Sequence, residues 1–277
     1  MWPRATLFAA LALGLLTIGT GVASSAPGVG VYRGEARTDR VDRFEQWLGA
    51  DVTHAVDFLK NVRWTPRGAM VGAWRRSDYN LSLSVPLEKH PARDWKALAR
   101  RLKPGTLVRL GWEMNGTWFP WSGDPPEFVR GWRRATKFMR QANPDLLFEW
   151  SPIAGSGNPE PYYPGDAFVD VIGLDVYNTQ SWKGFRDHEW GTTWHVKFAR
   201  EHKKRISFPE WGLVMPENGG EGDNPLFVRK MIQWAAKHNA LYHAYFQFDA
   251  TGGLGKHELL HYPISERVYK KQLRRQK

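Results

Sequence analysis

From residue 28 onward, short apolar runs alternate with stretches whose apolar side chains recur every three or four positions. The runs Gly28–Tyr32, Val52–Phe58, Leu81–Val85, Thr106–Leu110, Leu146–Trp150, Asp170–Leu174, Arg205–Phe208 and Tyr242–Phe248 predict strands. The stretches Asp39–Leu48, Ala92–Leu102, Pro126–Gln141, Trp190–His202 and Asn224–His238 predict amphipathic helices between them. Pro126 suits a first helical turn, with Asp124 placed to cap it. Strands interleaved with helices predict a parallel sheet covered on both faces. Eight strands suggest closure into a single (β/α)8 TIM barrel, an α/β fold. An open doubly wound sheet is the alternative, but no Gly-rich phosphate loop follows the first strand.

The N-terminus breaks this alternation. Arg4 precedes an uncharged apolar run, Ala5 to Ala23, and small residues continue through Ala26. This reads as a secretory signal peptide over residues 1–26, leaving a single domain over 27–277 and a secreted product. The run is also long enough to serve as an uncleaved membrane anchor.

Composition narrows the chemistry. The 277 residues include no cysteine, which excludes disulfide scaffolds, Cys-ligated metals and Cys nucleophiles. An aromatic content of 14% supplies too much buriable surface for a solvated coil. No metal or cofactor is expected: the one close His–Glu–His set, His257, Glu258 and His261, lies beyond the last strand and reads as a surface loop. The formal net charge is +11, and basic residues crowd the C-terminus at Arg267, Lys270, Lys271, Arg274, Arg275 and Lys277. They read as the wet face of a terminal helix, or as a contact with an anionic cell surface. Nucleic acid is not expected as a partner, because the aromatic-rich stretches carry acids rather than cations.

Acidic residues recur at strand ends: Asp57, Glu113, Asp175, Glu210 and Asp249. In a parallel barrel these ends share one rim, where active sites are built. A single strand-end acid commonly caps a helix or loop; several converging there would repel one another unless a task sustained them. Two lie in dense aromatic surroundings, Trp112-Glu113-Met114-Asn115-Gly116-Thr117-Trp118-Phe119-Pro120-Trp121 and Phe208-Pro209-Glu210-Trp211. Aromatic faces beside carboxylates suit sugars, whose C–H faces stack on rings while their hydroxyls need polar partners. Paired carboxylates supply the acid and the nucleophile that glycosidic cleavage requires.

The stretches around Glu113 and Glu210 resemble the two catalytic-strand signatures of glycoside hydrolase family 26, and Asp175-Val176-Tyr177 resembles the family's strand-six region. The resemblance implies a (β/α)8 retaining glycosidase of the β-mannanase type, with an acid/base at Glu113, a nucleophile at Glu210 and a hydrogen-bonding Tyr177. It also implies a β-linked polysaccharide as partner, and monomer is the default expectation for such a secreted enzyme. Asn115 and Asp175 become candidates for sugar hydroxyls, and Trp112, Trp118, Phe119, Trp121 and Trp211 candidates for the binding surface. Asn115-Gly116 could equally form a turn, and Asp175 could anchor a loop. Trp112 stands where the family usually carries His, the eighth strand lacks a Trp common in the family, and His54 and His90 are available for its early-strand histidine. A β-glucanase, a xylanase and a catalytically silent carbohydrate-binding barrel are the alternatives. Glu149 on the fifth strand is a rival carboxylate.

Overall fold

The computed structural model describes residues 26–59, 69–250 and 255–276. The apolar run at residues 5–23, read above as a signal peptide or anchor, lies outside them. Among the described residues no helix is long and apolar enough to cross a membrane.

The strands are β1 (Gly28–Tyr32), β2 (His54–Phe58), β3 (Asn80–Val85), β4 (Leu107–Leu110), β5 (Leu147–Trp150), β6 (Val171–Gly173), β7 (Val176–Tyr177), β8 (Arg205–Gly212) and β9 (Tyr242–Phe246). Each pairs in parallel with its neighbours, in the order β6-β5-β4-β3-β2-β1-β9-β8. Pairing of β6 with β8, Val171 to Arg205 and Gly173 to Ser207, closes the ring. The two-residue β7 prolongs the sixth strand, pairing with β8 at Trp211 and Gly212. The expected single (β/α)8 barrel is therefore the observed one.

The helices are α1 (Thr38–Leu48), α2 (Ala69–Arg76), α3 (Ala92–Ala99), α4 (Pro125–Ala142), α5 (Trp182–Asp187), α6 (Thr192–Glu201), α7 (Pro225–Lys237) and α8 (Pro263–Leu273). The main core lies between barrel and helices, where Trp95, Trp132, Trp150, Phe148, Phe185 and Phe208 are fully buried. Asp124 caps α4 by accepting a 2.9 Å hydrogen bond from the Glu127 amide, and prolines fill the first turn, where no N–H is missed. The sequence pattern places no helix at α2 or α5: both are short and too brief to display a full apolar stripe.

One irregularity sets which β8 side chains face the barrel mouth. Opposite β9, the interval Phe208–Trp211 faces only His243–Tyr245, so β8 holds one extra residue. Pro209 has no N–H to donate, and a bulge is where a strand tolerates it. Before the bulge Ser207 points into the barrel, bonding Glu149, while Phe208 packs outward on His195. Strict alternation would then turn Glu210 outward and Trp211 inward. The extra residue reverses this, so Glu210 faces the barrel mouth and Trp211 faces the helices.

Candidate active site

At the carboxyl ends of β4, β6 and β8, Glu113, Asp175 and Glu210 converge, each offering an oxygen within 4.8 Å of the others. All three are buried. Arg109, on β4, joins two of them: its Nη2 donates to Asp175 Oδ2 at 2.6 Å and to Glu210 Oε1 at 2.9 Å. Ser151 Oγ donates to the other Asp175 oxygen at 2.9 Å. The second Glu210 oxygen accepts from the Tyr177 hydroxyl at 3.1 Å. Glu210 is thus held at both oxygens, whereas among the described residues Glu113 accepts a side-chain bond only from the Trp118 indole, at 2.9 Å.

That asymmetry separates the two carboxyls chemically. Burial, followed by the charge of Glu210, pushes the Glu113 carboxyl up to about 8, against the opposing pull of the Trp118 bond and Arg109. Arg109 is fully buried and stays charged beside Glu210 and Asp175; burial still pushes the Asp175 carboxyl well above the usual carboxylate range, against the pull of Arg109. Burial pushes Tyr177 upward, aided by Glu210, so it stays a neutral donor. The site therefore pairs a carboxyl whose proton is favoured, Glu113, with one hydrogen-bonded to a buried cation, Glu210.

The backbone at Glu113 is itself unusual, with φ at 52°. A non-glycine residue in this left-handed region costs of order 1–3 kcal/mol and persists only when its surroundings enforce it. Here the Glu113 amide donates to Ser151 O at 2.8 Å, and the Gly116 amide donates back to Glu113 O at 2.9 Å. Gly111, also at φ 52°, must be glycine on a second count: a Cβ there would lie 2.9 Å from both Leu87 and Phe128.

The aromatic residues divide by exposure. Trp118 is 52% exposed and overhangs Glu113, a free platform. Phe119 is half-buried and stacks on Trp121 at 4.5 Å, while the Trp121 indole donates to Trp112 O at 2.8 Å. Trp112 packs edge-on against Phe58 and Phe119. Trp211 is wholly buried against Phe227, Tyr245 and Tyr269, so the bulge removes it as a sugar platform. Trp150 likewise packs outward on Tyr163 and Phe198.

Two polar candidates are committed elsewhere. The Asn115 amide donates to Ile153 O and Gly157 O and accepts from the Ile153 amide, all at 2.9 Å. It pins the loop after β5 rather than offering itself to a hydroxyl. Asp175 is fully buried beneath Arg109 and Ser151 and serves the carboxylate cluster, not the open cleft. The five strand-end acids do not all converge. Asp57 is saturated by the Trp74 indole and the amides of Ala36 and Phe58, and burial pushes it up to about 6. Asp249 accepts from the amides of His257 and Glu258 and meets His261 at 2.7 Å, fastening the loop after β9. Of the available histidines, His54 stacks on Tyr242 at 4.6 Å at the foot of β2, and His90 lies against Trp95.

The pattern reading missed Arg109, whose signal was a lone charge inside the apolar strand Leu-Val-Arg-Leu. It also missed the aromatic lip formed by Tyr32, Phe58 and Phe246, with ring centroids 4.9 Å apart from Tyr32 to each of the others. Glu149, the rival carboxylate, is buried inside the barrel and accepts from Ser82 at 2.7 Å, Tyr242 at 2.8 Å and Ser207. Burial raises it above the usual carboxylate range. Glu149→Gln should therefore keep activity and most stability, whereas Glu149→Ala strands three hydroxyls and costs about 1–3 kcal/mol. Urea unfolding beside an activity assay checks this; loss of turnover in the glutamine variant would place Glu149 in the chemistry.

The sequence model described as Glycosyl hydrolase family 26 matches residues 52–195. Mannan endo-1,4-beta-mannosidase A and B of Caldalkalibacillus mannanilyticus is 27% identical across 31% of this chain. The match spans only 21% of that relative's length. A GH26 beta-mannanase from Bacteroides ovatus superposes with a TM-score of 0.63 at 17% identity, covering 91% of this chain and 89% of that one. A modular endo-beta-1,4-mannanase from Cellulomonas fimi gives 0.63 at 20% identity, covering 91% and 71%. At these identities the superpositions establish the shared fold.

Proposed function

The chain belongs to glycosyl hydrolase family 26, and from that premise we propose that it hydrolyses a β-linked polysaccharide by double displacement with retention of configuration. The observation that carries this reading is the approach of a Glu113 oxygen to within 4.8 Å of a Glu210 oxygen. Retaining pairs sit about 5–5.5 Å apart, whereas inverting pairs stand about 6.5–9.5 Å apart to admit a water.

Glu113, whose proton is retained near neutrality, protonates the leaving glycosidic oxygen. Glu210, oriented by Arg109 and Tyr177, attacks the anomeric carbon and forms the glycosyl–enzyme ester. Glu113, now ionised, draws a proton from the incoming water, whose oxygen displaces Glu210 and releases the sugar with its original anomeric configuration. Trp118 supports the sugar's apolar face beside the reacting bond.

An endo-acting β-mannanase is the leading reading of substrate, because the matched relative and the Cellulomonas fimi structure are named as endo-acting and the Bacteroides ovatus structure as a beta-mannanase. A β-glucan or xylan is the second, favoured by Trp112 in place of histidine and by the apolar lip of Phe58 and Phe246. Secretion, through the N-terminal apolar run, completes the reading, since such polymers lie outside the cell. The test is a panel of β-mannan, mixed-linkage β-glucan, β-1,3-glucan and xylan, with anomers followed by NMR. First release of the β-anomer from one polymer names the substrate; first release of the α-anomer would refute retention.

The pH profile should show the acid. As pH rises through the raised Glu113 value, the proton needed by the leaving group is lost, so kcat/KM falls on the alkaline side. The Trp118 bond stabilises the ionised form, so Trp118→Phe should move that alkaline limb upward while weakening binding. A limb that moved downward would mean that the indole holds the proton on Glu113 rather than opposing it.

A further inference from the structure

Among the described residues, unpaired basic residues gather at one end of the barrel. Because every strand runs in parallel and is followed by a helix returning to its foot, all helix C-termini and the turns after them share one face, opposite the catalytic rim. On that face the ends of α6, α7 and α8 are neighbours, since β8 lies beside β9 and α7 packs on α8. This arc exposes Lys203, Arg205, Lys237, Lys271 and Arg275, none in a salt bridge among the described residues. The acids beside it, Glu201 and Asp166, face Lys197 and His202 respectively. The rim instead mixes signs, with Asp124, Glu217 and Glu221 beside Lys89 and Lys183.

Cations at helix C-termini stabilise the helix dipole, which accounts for one or two per helix. It does not account for Lys203 and Arg205, which lie beyond the end of α6, or for Arg275, beyond the end of α8. The field is felt inside: besides burial, Arg205 disfavours the proton on His54, and Lys237 and Arg200 disfavour it on His238.

The chain enters the barrel at this same face. Gly28 opens β1 at its foot, paired with Tyr242 of β9, next to the cationic arc. Only Ser24 to Pro27 separate it from the apolar run ending at Ala23. Fully extended, that linker spans about 15 Å. Where the run is kept as the uncleaved anchor named above, the cationic face is therefore within one to two Debye lengths, about 8–10 Å each, of the headgroups.

We propose that this face is a docking surface for anionic phospholipid headgroups, on which the barrel sits foot-down with its catalytic rim turned outward to the polymer. Each basic side chain close to such a surface contributes about fivefold to binding, an effect that salt removes. The proposal does not depend on the reading of the rim.

The test uses the full chain on vesicles of phosphatidylcholine alone, or with about one-third phosphatidylglycerol, with lysine acylation rates read by mass spectrometry. Insertion of the apolar run is common to both vesicles, so only the lipid-charge dependence is scored. Lys203, Lys237 and Lys271 should react at least about fivefold more slowly on the anionic vesicles at low salt, and the difference should vanish near 0.5 M NaCl. Lys89 and Lys183, exposed on the rim side, should not change. The double variant Arg205→Glu/Arg275→Glu should lose the protection at these lysines while keeping polysaccharide hydrolysis in solution. Equal rates on both vesicles, or protection of Lys89 and Lys183 as well, would overturn the proposal. Stronger protection by RNA than by vesicles at equal phosphate would reassign the face to nucleic acid.

Discussion

Glu210→Ala and Glu113→Ala will each lower polymer hydrolysis by at least about a thousandfold, within the range that a positioned acid or base supplies. The two losses will differ in kind. An aryl glycoside with an acidic phenol needs no proton on its leaving group. With that substrate Glu113→Ala still forms the glycosyl–enzyme and releases a burst of phenolate, then stalls, because no base activates water for the second step. Glu210→Ala gives no burst, because the attacking oxygen is gone. Stopped-flow absorbance with mass spectrometry of the trapped protein reads both outcomes. A burst from Glu210→Ala, or steady turnover of polymer by either variant, would show that the pair has been misassigned. Both side chains lie in the barrel mouth rather than the main core, so the variants should fold.

Arg109→Met should be the most destabilising of the substitutions at the site. The guanidinium is fully buried and carries the counter-charge of Asp175 at 2.6 Å and Glu210 at 2.9 Å. Methionine fills comparable space but leaves two carboxyls without a cation. Removing one partner of a buried pair costs about 3–5 kcal/mol. For a domain of this size that corresponds to a fall in Tm of about 6–20 °C. Turnover should fall as well, by at least about tenfold, because Glu210 loses the donor that aims its Oε1. Arg109→Lys keeps the charge on a shorter stem that must reach the two carboxyls now bonded by Nη2, so it should recover part of the stability and less of the rate. Calorimetry and kcat on the same preparations check this; an unchanged Tm in Arg109→Met would mean that the cluster holds its carboxyls neutral without the arginine.

These effects arise at a site that the linear pattern located but did not assemble. Alternation of apolar runs with amphipathic stretches, read from residue 28 onward, is enough to specify the barrel, because a strand buried on both faces and a helix buried on one leave different apolar periods. The eight strand predictions coincide with β1–β6, β8 and β9 to within a few residues at their ends. The meeting of Glu113 and Glu210 at one rim was legible as well, because both stand at strand ends inside unusually aromatic stretches and topology carries such ends together, whereas Tyr177 was named only through the family resemblance.

Other features depend on contacts between distant segments, which periodicity does not encode. Asp57 and Glu113 look alike in sequence. One is saturated by Trp74 and two amides, and the other shares the barrel mouth with Glu210. Asn115 and Asp175 carry groups suited to a sugar hydroxyl, yet the loop at residues 153–157 and the guanidinium of Arg109 use them. One added residue in β8 exchanges the facings of Glu210 and Trp211, turning a candidate platform into core. Residue type and spacing thus determined the barrel, its rim and the chemical class of the groups upon it. Which of those groups remain open to a substrate was decided by hydrogen bonds and burial, because a polar side chain's availability depends on what the rest of the chain brings within 3 Å of it.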